Sequence, residues 1–179
     1  MKKITQIDNE ISKQLSLLEE EINTLEFKTY YEFTVLESKN NFNKYKLNFQ
    51  GIYFIEIEKK GNNITFSQWV DKFKTEWENK SFFNRPQIRQ KSINNVKLTN
   101  NWIPLYIGKS QEIGNRLYKH LFLENKKSTY ALKLYDKAFL KHEKIRIKAI
   151  EINVENYDQI VPFIERKLRD EINPIVGKQ

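Results

Sequence analysis

Cysteine is absent from this 179-residue chain. That excludes disulfide staples, thiolate zinc sites and cysteine nucleophiles. No apolar run approaches the roughly 20 residues that a membrane span needs. The opening Met1-Lys2-Lys3-Ile4-Thr5 has neither a long apolar stretch nor a small-residue cleavage site, so no secretory signal is read there. No internal repeat and no low-complexity tail is found. These absences lead to the expectation of a cytoplasmic protein with no membrane partner.

What is present is enough for a packed core. Hydrophobic residues make up 39% and aromatics 13% of the chain, which sets it apart from disordered sequences. The length suits one compact domain with an appendage. The formal net charge is +8, and it is unevenly distributed. Residues 1–50 hold seven Lys against eight acidic residues, so the excess lies in 51–179. Between 79 and 111 stand Lys80, Arg85, Arg89, Lys91, Lys97 and Lys109, with no acidic residue among them. A basic stretch of this kind suits a nucleic acid, a membrane surface or an acidic protein, and it also suits an ordinary solvated face.

The patterning predicts an α+β fold with a small sheet flanked by helices. Ile4, Ile7, Ile11, Leu15, Leu18, Ile22 and Leu25 recur at spacings of three and four, which predicts an amphipathic helix over 2–27. Ile4, Ile11, Leu18 and Leu25 lie seven apart, so the helix either packs on its own domain or pairs with a second copy. Residues 29–36 and 45–58 are predicted strands, and Gly61-Asn62-Asn63 a turn. A helix is predicted over 65–79 with Ser67 as its N-cap. Residues 80–101 are predicted to be irregular, Trp102 to Ile107 a strand, and 111–123 and 128–141 helices. Alternation of Ile145, Ile147 and Ala149 with Arg146 and Lys148 predicts a strand over 144–153. A last helix over 156–172 stops at Pro174. The division drawn is an N-terminal extension, 1–50, and a domain, 51–179, with 54–105 inserted into it.

Certain residues on these elements stand out together. Gly51-Ile52-Tyr53 lies on one strand and Tyr106-Ile107-Gly108 on another, followed by Lys109. Arg116 comes ten residues after Tyr106, His120 one helical turn after Arg116, and Glu165 late in the chain on a helix. This ordered set resembles the GIY-YIG nuclease family. The resemblance covers residues 51–53 and 106–179, and rests on all the elements occurring in order rather than on either tripeptide.

The resemblance implies phosphodiester hydrolysis, and the residue chemistry suits it. The reaction needs a deprotonated water, a clamp for phosphate charge and help for the leaving oxygen. Arg116 can set a planar guanidinium against phosphate oxygens. His120, at i+4, is expected to project toward the same point. Glu165 is a hard oxygen ligand suited to Mg²⁺ or Mn²⁺, and a single carboxylate implies one metal ion per site. In the family a tyrosine is held to activate the water. Tyr53 is favoured here, with Tyr106 bonding to it or to the phosphate, although either could act. Lys109 resembles a family lysine that neutralises charge. His142 is read as a capping or packing residue. The alternative for Glu165 is a surface ion pair with Arg166, Lys167 or Arg169.

This sequence departs from the family pattern in three places. Roughly fifty residues, Phe54 to Leu105, separate the two signature strands where the family usually has a short hairpin. Such an insert is read as a DNA-contacting element in which Lys80, Arg85, Arg89, Lys91 and Lys97 meet phosphates. Arg85, Gln87 or Arg89 would meet base edges. Its alternative is a packing helix followed by a loop. Gly177 stands where many members carry Asn, a role that Asn173 could have taken over. The chain ends five residues after Pro174, which leads to the expectation of no downstream DNA-binding domain.

The expected activity is therefore a metal-dependent endonuclease of restriction type on double-stranded DNA, without a nucleotide cofactor and working alone or as a homodimer. The alternatives are a phage, mobile-element or structure-specific nuclease, and an inactive DNA-binding protein.

Overall fold

The computed structural model describes residues 2–59, 65–78, 84–95 and 101–177. In chain order the elements are α1 (Lys2–Ile22), β1 (Lys28–Thr34), α2 (Ser38–Asn41), β2 (Gly51–Glu58), α3 (Phe66–Trp77) and β3 (Gln87–Ile88). They continue with α4 (Gln90–Asn95), β4 (Trp102–Ser110), α5 (Ile113–Phe122), β5 (Lys144–Glu151), α6 (Tyr157–Ile172) and β6 (Val176–Gly177).

The fold is α+β. Its main sheet has four antiparallel strands in the order β1-β5-β2-β4. A central strand is covered on both faces, so β2 has no polar face to offer and is buried from Gly51 to Ile57. Tyr53, Ile55 and Ile57 point to one side. They pack with Ile103, Leu105, Ile145 and Ile147, and with Ile113, Leu117 and Leu121 of α5 and Phe73 and Trp77 of α3. Ile52 points to the other side with Ile107 and Ile150. There it meets Val161, Ile164 and Leu168 of α6 and Ile22 of α1. Each such aliphatic side chain removed from water contributes about 1.5–3 kcal/mol. The two helical layers thus fix the sheet between α5 and α6, the helices that carry Arg116 and Glu165.

One polar group on the second face is buried. Glu56, 3% exposed, accepts from Arg146 at 2.7 and 3.0 Å and from Lys148 at 3.0 Å. A carboxylate can occupy a sheet interior only when it is met in this way.

Several predicted elements differ in the structure. Residues 45–50 are not strand. Lys44–Leu47 form a 3-10 turn capped by Asn43, whose side chain accepts from the Tyr45 amide at 3.0 Å. The cap of α3 is Thr65 rather than Ser67: Thr65 and Gln68 bond each other's backbone in a capping box. Residues 128–141 are not a helix and contain only a 3-10 turn at Ala138–Leu140. The segment's amides bond elsewhere: Ala131 to the Asn84 carbonyl, Leu132 to the His120 ring, Leu134 and Tyr135 to the His120 and Leu121 carbonyls. Ala131 through Leu134 are all buried, so no polar helix face exists there. In the stretch expected to be irregular, β3 pairs with β6 and α4 follows. Residues 28–34, assigned to an N-terminal extension, form the edge strand of the main sheet. The predicted turn at Gly61-Asn62-Asn63 and the residues Lys80, Phe82, Phe83 and Lys97 lie outside the described residues. Among the described residues no helix is long and apolar enough to cross a membrane.

Candidate active site

β2 and β4 pair so that Tyr53 lies opposite Gly108. The phenol of Tyr53 crosses directly over that glycine: a Cβ on Gly108 would sit 2.5 Å from Tyr53 Oη and 2.9 Å from the Tyr106 ring. Gly51 meets the same constraint against β5, where a Cβ would fall 2.0 Å from the Ile150 carbonyl oxygen. Tyr106 pairs with Ile55, two residues along β2 from Tyr53, so it stands on the same side of the sheet as Tyr53. The two rings stack with centroids 6.1 Å apart.

Around these rings is a cavity of about 440 Å³. β2 and β4 supply Tyr53, Tyr106 and Lys109, and α5 supplies Arg116. α6 contributes Pro162, Glu165, Arg166 and Arg169, which share one face at i, i+3, i+4 and i+7. Tyr130 closes the rim. Five of the six residues singled out in the sequence therefore border one space. Among the described residues four cationic side chains and one carboxylate line the cavity, so it suits an anion. Arg169 Nη1 is 3.8 Å from Glu165 Oε1, a loose ion pair one helical turn apart.

Arg116 Nη2 donates to the Tyr130 carbonyl at 3.0 Å. Burial opposes its charge, yet its pKa is held above the ordinary value by the neighbouring phenols of Tyr53 and Tyr106. Burial drives the Tyr53 pKa well up, and the neighbouring Tyr106 adds to it. The Tyr106 pKa is also raised by burial, with Arg116 opposing and Glu165 assisting.

His120 is placed differently from the expectation. It is 0% exposed and does not border the cavity. Its Nε2 lies 2.8 Å from Tyr53 Oη, and its Nδ1 accepts from the Leu132 amide at 3.1 Å. Burial and the nearby Arg116 push its pKa well below the usual imidazole value, so the ring is neutral. It sits behind Tyr53 and cannot reach a phosphate in the cavity.

The basic stretch is also partly absorbed into the fold. Arg89 is half-buried, donates to the Pro174 carbonyl at 3.2 Å, and its amide donates to the Ile175 carbonyl at 2.8 Å. Lys91 is exposed, and Arg85 lines a second cavity of about 570 Å³ with Asn84, Gln87 and Trp77. Tyr130 borders both cavities. Gly177 has φ +149°, a backbone conformation that disfavours a side chain, and it lies beside Arg89 and Tyr106. Asn173 does not reach the cavity. It ends α6 in the left-handed conformation, φ 58°, and accepts from the Ser92 hydroxyl at 2.6 Å.

Sequence reasoning missed Arg166, Arg169 and Tyr130 as cavity residues. The two arginines had a readable signal, since they stand one and four residues beyond Glu165 on a helix. Tyr130 had none, because its segment has no periodicity.

Among the described residues no group of three or more His, Asp or Glu converges on one point. Glu165 is the one carboxylate on this cavity among the described residues. Nearby, the buried Tyr157 hydroxyl has no hydrogen-bond partner among the described residues. Burial raises its pKa to about 12, with Glu165 and Asp158 contributing. Such a donor set fits a hydrated Mg²⁺ that completes its shell with waters and substrate phosphate, and does not fit an ion caged by protein.

Compared with protein-family models, curated proteins and solved structures, the chain matches none.

Proposed function

We propose that this chain is a metal-dependent DNA endonuclease with a GIY-YIG type core, hydrolysing phosphodiester bonds in double-stranded DNA in a restriction role. One observation carries the reading. Two tyrosines, a lysine, an arginine and a glutamate from β2, β4, α5 and α6 border a single electropositive cavity. Their order in the sequence resembles that of the family.

The chemistry follows from the groups present. Arg116, Lys109, Arg166 and Arg169 would neutralise a phosphodiester and the charge added to it as water attacks phosphorus. Glu165 would hold one Mg²⁺ or Mn²⁺, which when bound supplies Lewis acidity toward phosphate and leaving oxygens. A phenol oxygen facing the cavity would take the proton of the attacking water. A high phenol pKa makes that group a strong base once ionised, and the charge of the nearby Arg116 favours the ionised form. The second cavity beyond Tyr130, with Arg85, Asn84 and Gln87, offers donors and acceptors for base edges near the cut.

The test is incubation of the purified protein with plasmid and phage DNA in Mg²⁺ or in EDTA, beside the Glu165→Ala variant. The expected result is discrete fragments with the wild type in Mg²⁺ and at least a hundredfold slower cleavage by the variant. A smear with the same dependence on metal and Glu165 points to a nuclease without a fixed site. DNA binding without cleavage under any condition overturns the enzymatic reading in favour of a binding protein.

A further inference from the structure

Lys109 and Glu165 border the same cavity. An ammonium on a four-carbon stem is drawn to a carboxylate within its reach. Among the described residues, however, Lys109 makes no ion pair. Its Nζ stands instead over the ring of Tyr157, 5.6 Å from the centroid. At that range the π electrons of a ring attract a cation.

Tyr157 is built to hold still. It is the first residue of α6 and is 5% exposed. It heads the buried stripe that continues through Val161, Ile164 and Leu168 at i+4, i+7 and i+11. The core therefore fixes the ring. The hydroxyl has no hydrogen-bond partner among the described residues, so the ring is what this position uses. The phenol pKa, raised to about 12, keeps the side chain neutral. It offers the lysine a π face and no counter-charge.

We propose that Tyr157 is a positioning residue whose ring seats the Lys109 ammonium and withholds it from Glu165. The proposal rests on the reading of Glu165 as a metal ligand. A Lys109–Glu165 ion pair would occupy both groups at once, since the ammonium would compete with a divalent cation for the carboxylate. An aromatic seat holds the ammonium without neutralising it, and leaves its N–H groups to a phosphate. It also orders the long side chain before the substrate arrives, which lowers the entropy lost on binding. One helix then sets two parts of the site, carrying Glu165 and keeping its cationic neighbour away from it.

The test is calorimetric titration of the full chain with Mn²⁺, without DNA. Tyr157→Phe keeps the ring and should bind Mn²⁺ like the wild type. Tyr157→Leu removes the seat and should bind about two- to fivefold more weakly, as the released ammonium competes for Glu165. In a Lys109→Ala background Tyr157→Leu should have no further effect. A loss that persists in that background comes from damage to α6 and overturns the proposal. An unchanged affinity in Tyr157→Leu overturns it too, as does a wild type that binds no Mn²⁺.

Nuclear magnetic resonance of the wild type gives a second readout that needs no variant to fold. The ring should shift the Lys109 ε-methylene protons upfield of those of exposed lysines, and unshifted protons overturn the seat. A wild type that binds Mn²⁺ and cuts no DNA would remove the nuclease reading, while the titration and the proton shift would still judge Tyr157.

Discussion

Gly108 carries no side chain because the Tyr53 phenol occupies the place where one would stand, 2.5 Å from an ideal Cβ. That proximity turns a residue of low information into a strict requirement. Gly108→Ala must push Tyr53 off His120 or shift β4, and overpacking of this kind costs about 2 kcal/mol. Thermal unfolding should fall by about 5 °C for a chain of this size. Cleavage should fall further than stability accounts for, because the displaced group is Tyr53 itself. A variant with unchanged melting and unchanged cleavage would show that the phenol does not rest on this glycine. At the same scale, Tyr53, Tyr106, Lys109, Arg116 and Glu165 were legible because residue type and spacing carry their chemistry. The burial of His120 was not. A helical i+4 spacing says that two side chains share a face, and α5 is thick enough in its surroundings for one to border the cavity while the other is sealed beneath it.

Elements were read well where their period is local. β2, β4, β5, α5 and α6 follow their hydrophobic patterns, because each has one face or both against the core. The segment 128–141 follows no pattern of its own. Its amides serve His120, Leu121 and Asn84, partners that no local propensity registers. The basic stretch between β2 and β4 divides in a similar way. Arg89 is tied to the Pro174 carbonyl and the β3–β6 pairing, while Lys91 is exposed and Arg85 borders the second cavity. Charge removal should therefore act differently along it. Arg85→Gln with Lys91→Gln should weaken DNA binding and flatten the slope of log K against log salt by about 1 to 2. Arg89→Gln should chiefly lower the melting temperature. An unchanged salt slope in the double variant would show that these side chains do not meet phosphate.

At the scale of the whole molecule the unexplained feature is α1. Its C-terminal end is held to α6 through Ile22 and Leu18 and by the Lys167–Glu19 ion pair. Ile4, Ile7, Ile11 and Leu15 continue the same stripe with 72%, 59%, 52% and 38% exposure. A second copy of the chain is the partner we propose for this stripe, and the charges set its direction. Lys2 and Lys3 stand at one end and Glu19, Glu20 and Glu21 at the other. A second copy laid antiparallel about Ile11 sets Ile7 against Leu15, Ile4 against Leu18 and the lysines against the glutamates. A parallel copy would set like charges together. A two-fold pair would offer one single-carboxylate site to each DNA strand. The absence of cysteine makes the arrangement easy to test. Ile11→Cys should cross-link to a dimer under oxidation, and Ile4→Cys should not. Cross-linking through Ile4→Cys would mean a parallel pair, and a monomer in sedimentation at high concentration would end the proposal.

The sequence by itself determined the α+β class, the central apolar strand, the two helices that flank it and the residue types that face one another across them. These depend on periodicity and on side-chain chemistry, and both are local. Only the tertiary structure decided that His120 lies behind Tyr53, that Arg166, Arg169 and Tyr130 complete the cavity, and that the Leu132 amide holds the His120 ring against Tyr53. Each of these depends on a backbone group or helix face brought from a distant part of the chain. The Leu132 amide that orients the imidazole is twelve residues from it and in no regular element, so nothing in its neighbourhood announces the role.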